Sequence, residues 1–562
     1  MKLLNYLQII GFGILFLCSV SCRHSVDEKL IIQNVPFNMP EVEQVNITGK
    51  SYNIRDFGAK SDGQTNNLNA IQLAIDKCAE NGGGKVIIPA GVWLTGPIQL
   101  RSNTELHLET GSILQFSDNF DDYPLMFYKY EKRKAVTCRP PIYGVDLENI
   151  AITGNGVIDG AGDAWRPIKK FKVTERQWRE IINKGGVVDE NRNIWYPSEK
   201  AFQGSNKTKS ADSHMFYTDT SSNLSLYEDV KDFFRPVLIK LENCNKVLLE
   251  GVTFQNSPSW NIHPLLCTNI TIRGISVRNP WYSQNGDGLD LESCSIGIVE
   301  NCTFDVGDDA ICIKSGKDKE GRDRNVPTEK FIIQNNIVYH GHGGFVIGSE
   351  MSGGVKDIYV NNCSFMGTEI GLRFKSARGR GGVVENIFIS NIFMTKIPET
   401  AIHFTTYYEG RAPMEDDQAI ASNTAEVTEE TPIFRNITIS DIICENANTG
   451  ITISGLDEMY IKNIVFNNMK IKSKAGVGLY NADSIRFKNL NLTVGYFPAI
   501  YLDNTTNIEF DGFTIQGGKE DSLICISGQK SYNIQFDNRY NNEKAIIKKG
   551  SIKNKKVVIF NK

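Results

Sequence analysis

Asn285-Gly286-Asp287-Gly288-Leu289-Asp290 opens the stretch that decides the fold, and Arg373-Phe374-Lys375 closes it. Between them stand Gly307-Asp308-Asp309 and Gly341-His342-Gly343-Gly344. Each motif ends on, or sits beside, a short run rich in Ile, Val and Phe. Such runs recur outward in both directions. They start near Asn149, Asn245, Asn269, Ser295, Lys330, Asp357, Asn386, Asn436, Met459, Ser484, Asn507 and Asn533. From Asn245 onward most intervals are 23 to 29 residues. Two are longer. One holds GKDKEGRDRNVPTE at 316–329, and the other holds the acidic run APMEDDQAIASNTAEVTEE at 412–430. The runs are short, β-branched and bounded by Gly, Asn and Asp, as strands are. No helical pattern separates them, which argues against βαβ units and a leucine-rich horseshoe. A β-sandwich would show turn signals every 8–12 residues without a period near 25. The period therefore predicts an all-β fold: a single-stranded right-handed parallel β-helix, in which successive coils stack about 4.8 Å apart.

Further outward, residues 66–80 place Ile71, Ala74, Ile75 and Cys78 at helical spacing before Gly82-Gly83-Gly84. This is the expected N-terminal capping helix, because an open solenoid end would leave strand edges unpaired. The β-helix is expected over residues 50–562. One segment, about 160–232, breaks the rhythm as a long loop insertion, with a helix expected across KKFKVTERQWREIINKGG. It reads either as a packing flap or as part of a binding face.

The first 22 residues read as an export signal. Lys2 gives the positive end, residues 7–18 are apolar but too short to span a bilayer, and Cys22 follows small residues. This resembles a bacterial lipoprotein signal with Cys22 as the lipidated residue; ordinary secretion is the alternative. A linker occupies 23–49. The expected location is the cell envelope, the periplasm or the exterior, with a membrane contact only through that anchor. Ten further cysteines contain no CxxC pair, so they read as buried rung residues rather than zinc ligands.

The 61 Lys and Arg against 65 Asp and Glu leave a net charge of −4, which excludes a nucleic-acid surface held by bulk charge. An acidic ligand must be held by a few local cations. The motifs supply them. Asp287 and Asp308 lie 21 residues apart, close to one coil, and His342 and Arg373 follow at about one coil each once the 316–329 loop is subtracted. Asp309 neighbours Asp308, so both reach one cleft only if the chain bends at Gly307. Crowded carboxylates cannot all ionise freely, which supplies an acid and a base at one pH, as glycoside hydrolysis requires. Arg373 and Lys375 share a strand face and suit a sugar acid.

At these residues the chain resembles the polygalacturonase family of pectin hydrolases, glycoside hydrolase family 28. The family pattern Asn-Thr-Asp, Asp-Asp, Gly-His-Gly, Arg-x-Lys appears here in order, with Gly286 in place of Thr. The opening FGAKSDGQTNN and GGGKVIIPAG resemble the first coil of pectin-degrading β-helices. The resemblance implies a parallel β-helix that cleaves alpha-1,4-linked galacturonate by single displacement with inversion. It assigns Asp308 as general acid, Asp287 and Asp309 to the water, and His342 to tuning the acid. Arg373 and Lys375 then bind the galacturonate carboxylate, with Asn285 beside them. It implies no metal and no cofactor, and the chain is read as a monomer acting on pectin or oligogalacturonides. The insertion and charged loops favour exo action over endo action. A rhamnogalacturonan hydrolase, a Ca²⁺-dependent pectate lyase and a non-catalytic glycan-binding solenoid are the other readings. Weaker substrate-binding candidates are His263 with Trp260, Tyr408, and Arg378 or Arg380. Each has a structural alternative: a packed ring, a surface tyrosine or a turn. Lys314 and Glu350 lie near the acids in sequence, and Met351 reads as packing.

Overall fold

The computed structural model describes residues 35–130, 133–210, 216–218, 223–408, 424–517, 523–537, 546–548 and 558–561. The signal, Cys22 and most of the 412–430 loop lie outside the described residues. Two units separate, Met1–Glu41 and Val42–Lys562. In the first, residues 35–41 carry no helix or strand.

The second unit is a parallel β-helix. Its main sheet pairs strands only in parallel, each with the equivalent strand one coil on. Three stacks result. The first runs from Lys50–Asn53 through Asn245–Glu250, Thr268–Arg273, Ser295–Glu300 and Tyr532–Asp537 to Val558–Asn561. The second includes Thr253–Gln255, Ser276–Arg278 and Thr303–Asp305. The third includes Ile239–Glu242, Ile262–Leu265, Leu289–Glu292, Ile311–Lys314, Gly343–Ile347, Ile370–Lys375 and Ile397–Thr405.

The repeat has a backbone cause. At the start of most first-stack strands one residue adopts the left-handed conformation, including Asn149 (φ 59°), Asn269 (53°), Asp357 (54°), Asn386 (55°), Asn436 (56°) and Asn507 (54°). Asn and Asp tolerate this conformation because their short polar side chains bond locally. Their amides also stack: Asn269 donates to Asn245 at 2.9 Å and Asn533 to Asn507 at 2.7 Å. Sequence anchors at Asn245, Ser295 and Met459 are offset, since the left-handed residues there are Lys246, Ile296 and Asn463.

Inward positions build one continuous apolar core. Phe466, Phe487, Phe510 and Phe536 stack with centroids 4.8, 4.7 and 5.1 Å apart. All ten cysteines from Cys78 to Cys525 are buried thiols, with Cys244 N–H donating to Cys267 Sγ one coil on. Helix α1 (Leu68–Glu80) buries Ile71, Ala74, Ile75 and Cys78 against the first coils, as its spacing predicts.

The insertion is more structured than a loop. It holds α2 (Glu175–Ile182), α3 (Glu199–Thr208) and a three-stranded antiparallel sheet of Ile168–Lys169, Ile194–Tyr196 and Val187–Asp189. The helix expected across 169–186 is cut short, because Thr174 forms a capping box with Gln177 and starts α2 there. An antiparallel pair, Leu125–Tyr130 with Arg133–Cys138, joins it from outside the expected bounds. Trp165, Tyr196, Phe233 and Phe234 pack with Tyr123 and Val136 in a second small core. The 316–329 loop carries α4 (Asp318–Arg324). Among the described residues no helix is long and apolar enough to cross a membrane.

Candidate active site

Register brings the motifs together at the entrance to the third stack. Leu289 pairs with Ile311, so Asp287 lies level with Asp309, and Asp308 is one residue off that ladder. Asp308 and Asp309 nevertheless reach the same space. One carboxylate oxygen from each of Asp287, Asp308 and Asp309 lies within 4.8 Å of the others. Gly307 permits this, though not through a positive φ. A Cβ there would stand 2.4 Å from Pro280 O and 2.4 Å from Ser283 Oγ, so only glycine lets the bend press against the 280–283 turn. The same turn explains Gly286: a Cβ would meet Ser283 Oγ at 1.9 Å.

Each acid has different partners. Asp308 Oδ2 accepts from Asn285 N–H at 3.2 Å, and Asp308 Oδ1 accepts from Asp309 N–H at 3.0 Å and lies 3.3 Å from His342 Nδ1. Asp309 Oδ2 accepts from Lys375 Nζ at 2.7 Å, and its Oδ1 lies 3.5 Å from Arg373 Nη1. Asp287 Oδ1 is buried and has no hydrogen-bond partner among the described residues. Burial raises the Asp308 carboxyl, but His342, Lys375 and Lys172 outweigh it and hold it below the usual range. Burial disfavours charge on His342 too, yet Asp308 pulls its pKa up. Asp287 is pushed well up by burial and by Asp308. The surroundings thus drive these groups apart: Asp308 and His342 stabilise charge on each other, and Asp287 is pushed toward its neutral form.

A divalent cation prefers clustered carboxylate oxygens, and the three aspartates offer them. The charges such an ion would offset are already matched by Lys375, Arg373 and His342.

The weaker candidates separate. Tyr408 stands at the cations: its ring centroid is 4.8 Å from Lys375 Nζ and 5.8 Å from the Arg373 guanidinium. Asn285 Oδ1 accepts from Arg235 at 2.9 Å, and its backbone N–H donates to Asp308. His263 is 1% exposed, held between Lys240 at 3.0 Å and Glu292 at 2.8 Å, and burial brings its pKa down to about 4. Trp260 packs edge-on to it at 4.9 Å, beneath Lys314. Arg378 is committed to Glu458 at 2.6 and 2.8 Å, and Arg380 to Asp318. Lys314 donates to Glu350 at 3.0 Å, which holds that carboxyl down to about 2 against the effect of burial. Met351 is fully buried.

Three residues escape a reading by motif. Lys172, from the insertion, places Nζ 3.2 Å from His342 Nε2. Glu369 lies 3.6 Å from the same nitrogen. Asp290, a fully buried fourth acid, is 3.6 Å from Lys314. Asp290 was in view within the first motif. Lys172 had no periodic signal at all.

A parallel β-helix with this trio, flanked by cations, defines a glycoside hydrolase acting on an acidic sugar. Residues 217–491 match Glycosyl hydrolases family 28, and residues 51–162 match Rhamnogalacturonase A/epimerase, pectate lyase-like. A probable polygalacturonase of Vitis vinifera is 28% identical over 441 residues, 77% of this chain and 76% of the relative. An exo-poly-alpha-D-galacturonosidase of Dickeya chrysanthemi is 27% identical over 482 residues, 83% of this chain and 75% of the relative. An endo-polygalacturonase of Pectobacterium parmentieri is 26% identical over 354 residues, 62% and 74%. Among solved structures, the exopolygalacturonase of Thermotoga maritima superposes with a TM-score of 0.60 at 29% identity, covering 87% of this chain and 96% of that one. The chain belongs to glycoside hydrolase family 28, the polygalacturonase family, and is a glycosidase of polygalacturonase type.

Proposed function

We propose that the protein is an exported exo-acting polygalacturonase that removes galacturonate from chain ends by single displacement. The observation that carries exo action is the burial of the third stack on one side of the acids. Lys240, His263 and Glu292 occupy outward positions there, yet at most 4% of each is exposed. Arg324 of α4 covers them, pairing with Glu292 at 3.0 Å, and the insertion approaches His342 through Lys172. A groove stopped beside its acids admits a chain end rather than a chain middle. The exo-acting relatives support the same reading; the endo-acting relative is the counterweight.

In the mechanism, the Asp308–His342 pair carries the proton for the leaving oxygen. His342 first passes its proton to Asp308, which delivers it to the leaving oxygen as the glycosidic C–O bond breaks, and solvent reprotonates the pair for the next turnover. Asp309, steered by Lys375, takes the proton of the attacking water, and neutral Asp287 hydrogen-bonds that water. The C–OH bond forms on the face opposite the leaving group. A spacing within 4.8 Å is shorter than the roughly 6.5–9.5 Å usual for inverting pairs, so inversion here rests on resemblance. Arg373, Lys375 and Tyr408 hold the sugar acid.

A product time course on homogalacturonan, with the anomer of the first product read by NMR, tests the proposal. Monomer or dimer from the first minutes, in the inverted configuration, is expected. An early ladder of mid-length oligomers would sink exo action, and a retained anomer would sink single displacement. Chelation with EDTA should leave activity unchanged. Loss restored by Ca²⁺, together with an unsaturated product absorbing in the ultraviolet, would replace hydrolysis by elimination.

A further inference from the structure

The strap at 167–172 is fastened to the turn that leads into the first catalytic motif. Ile168 is buried with Trp178 and Trp195, and Tyr282 packs on that cluster. In its hydrogen-bonding orientation the Gln284 amide accepts from Lys169 N–H at 3.0 Å and donates to Pro167 O at 3.3 Å. Asn285 and Asp287 follow directly. The 3₁₀ turn Lys170–Lys172 then separates two lysines. Lys170 turns to Glu175 at 3.4 Å. Lys172 turns to the cleft and stops 3.2 Å from His342 Nε2.

Among the described residues Lys172 makes no ion pair. An ammonium whose nearest contact is an imidazole, with the Asp308 carboxylate only behind that ring, is an electrostatic cost that a ligand anion would relieve. The other cations hold a different acid: Arg373 and Lys375 both converge on Asp309. Lys172 and Glu369 face the Asp308–His342 side. The cations therefore hold different groups, Arg373 and Lys375 on Asp309 and Lys172 on His342 beside Asp308.

We infer that Lys172 binds the carboxylate of the sugar on the Asp308–His342 side of the scissile bond, so that an acidic sugar is selected on both sides of the cut. This rests on the hydrolase reading above and deepens it. Arg373 and Lys375 select one sugar; Lys172, supplied by the insertion, selects the other. A neutral sugar on that side would leave the ammonium unmatched.

The test compares kcat/KM on a galacturonate oligomer with that on the same oligomer methyl-esterified at its carboxylates. In Lys172→Met, kcat/KM on the acid should fall roughly tenfold to a hundredfold, mostly through KM, the weight of one charge-assisted hydrogen bond. The preference for acid over ester should shrink with it. Lys172→Arg should keep most of that preference, and Lys170→Met should match the parent on both substrates. Thermal melts of the variants separate binding from folding. An equal loss on acid and ester, or no loss on either, would overturn the assignment of Lys172 while leaving the hydrolase intact. A parent enzyme that ignores galacturonate would remove the hydrolase reading, and this inference with it.

Discussion

Asp308 and Asp309 are chain neighbours with opposite company. His342 stands on one, and Lys375 with Arg373 on the other. In the proposed mechanism that division sets their roles: a carboxylate beside a histidine can be recharged with a proton, while one beside an ammonium is steered as a base. Asp308→Asn should therefore lower kcat by about 10²–10⁴-fold, the usual weight of a positioned acid, with folding intact by circular dichroism. Parent-like release of galacturonate would remove Asp308 from catalysis. The pH profile follows from His342. Its pKa is raised in the folded site, so the proton the pair needs is present below that value and lost as pH rises through it. The alkaline limb of kcat/KM should lie above the ordinary histidine value of about 6.5, and His342→Gln should displace it; a limb unmoved in His342→Gln would assign it elsewhere. The three acids were legible from spacing, and Asp309, not Asp308, proves to be the rung partner of Asp287. Counting 21 residues could not resolve this, because a one-residue bend does not alter a period. Gly307 was legible as the critical position, but it serves close approach to Pro280 and Ser283 rather than an unusual φ. Lys172 was invisible, since nothing periodic ties residue 172 to residue 342.

At the scale of elements, the proposed exo action gives α4 and the insertion a task that the repeats do not perform: ending the groove. Arg324 is the link, with Glu292 at 3.0 Å and Glu320 as its helical neighbour. Glu292 is buried and shared with His263, and Arg324 is the largest influence opposing its burial, holding its carboxyl far down. Arg324→Ala would strand that charge. A buried pair broken on one side costs about 3–5 kcal/mol, so the variant should melt well below the parent, whereas Glu292→Gln with Arg324→Met should recover much of the loss. A melt equal to the parent would show that Glu292 finds solvent and that α4 does not seal the groove end. The interval pattern had marked the 316–329 loop as an excess of residues without revealing its helix, because seven charged and small residues carry no apolar stripe. Likewise, the insertion looked like loop because its apolar residues serve a separate small core rather than the repeat.

At the scale of the whole β-helix unit, coils contact only their neighbours along the stack, so stability behaves as a sum over rungs and interfaces. The period near 25 residues was legible because each rung needs a left-handed corner, and Asn marks it in the sequence. The candidate active site occupies the coils from Leu289–Glu292 to Ile370–Lys375. The phenylalanine stack at Phe466, Phe487, Phe510 and Phe536 lies several coils further on. Phe510→Ala removes the ring that touches both Phe487 and Phe536 and leaves a cavity, at a cost of about 3–5 kcal/mol. In a single cooperative globule that cost would be felt at the active site. In a stacked unit it should appear as local opening: hydrogen exchange should lose protection across residues 500–537 and keep it across 289–375, with kcat on oligogalacturonate unchanged at low temperature. Loss of protection at both places to the same degree would show that the coils unfold as one, and that the site borrows stability from the far end of the stack.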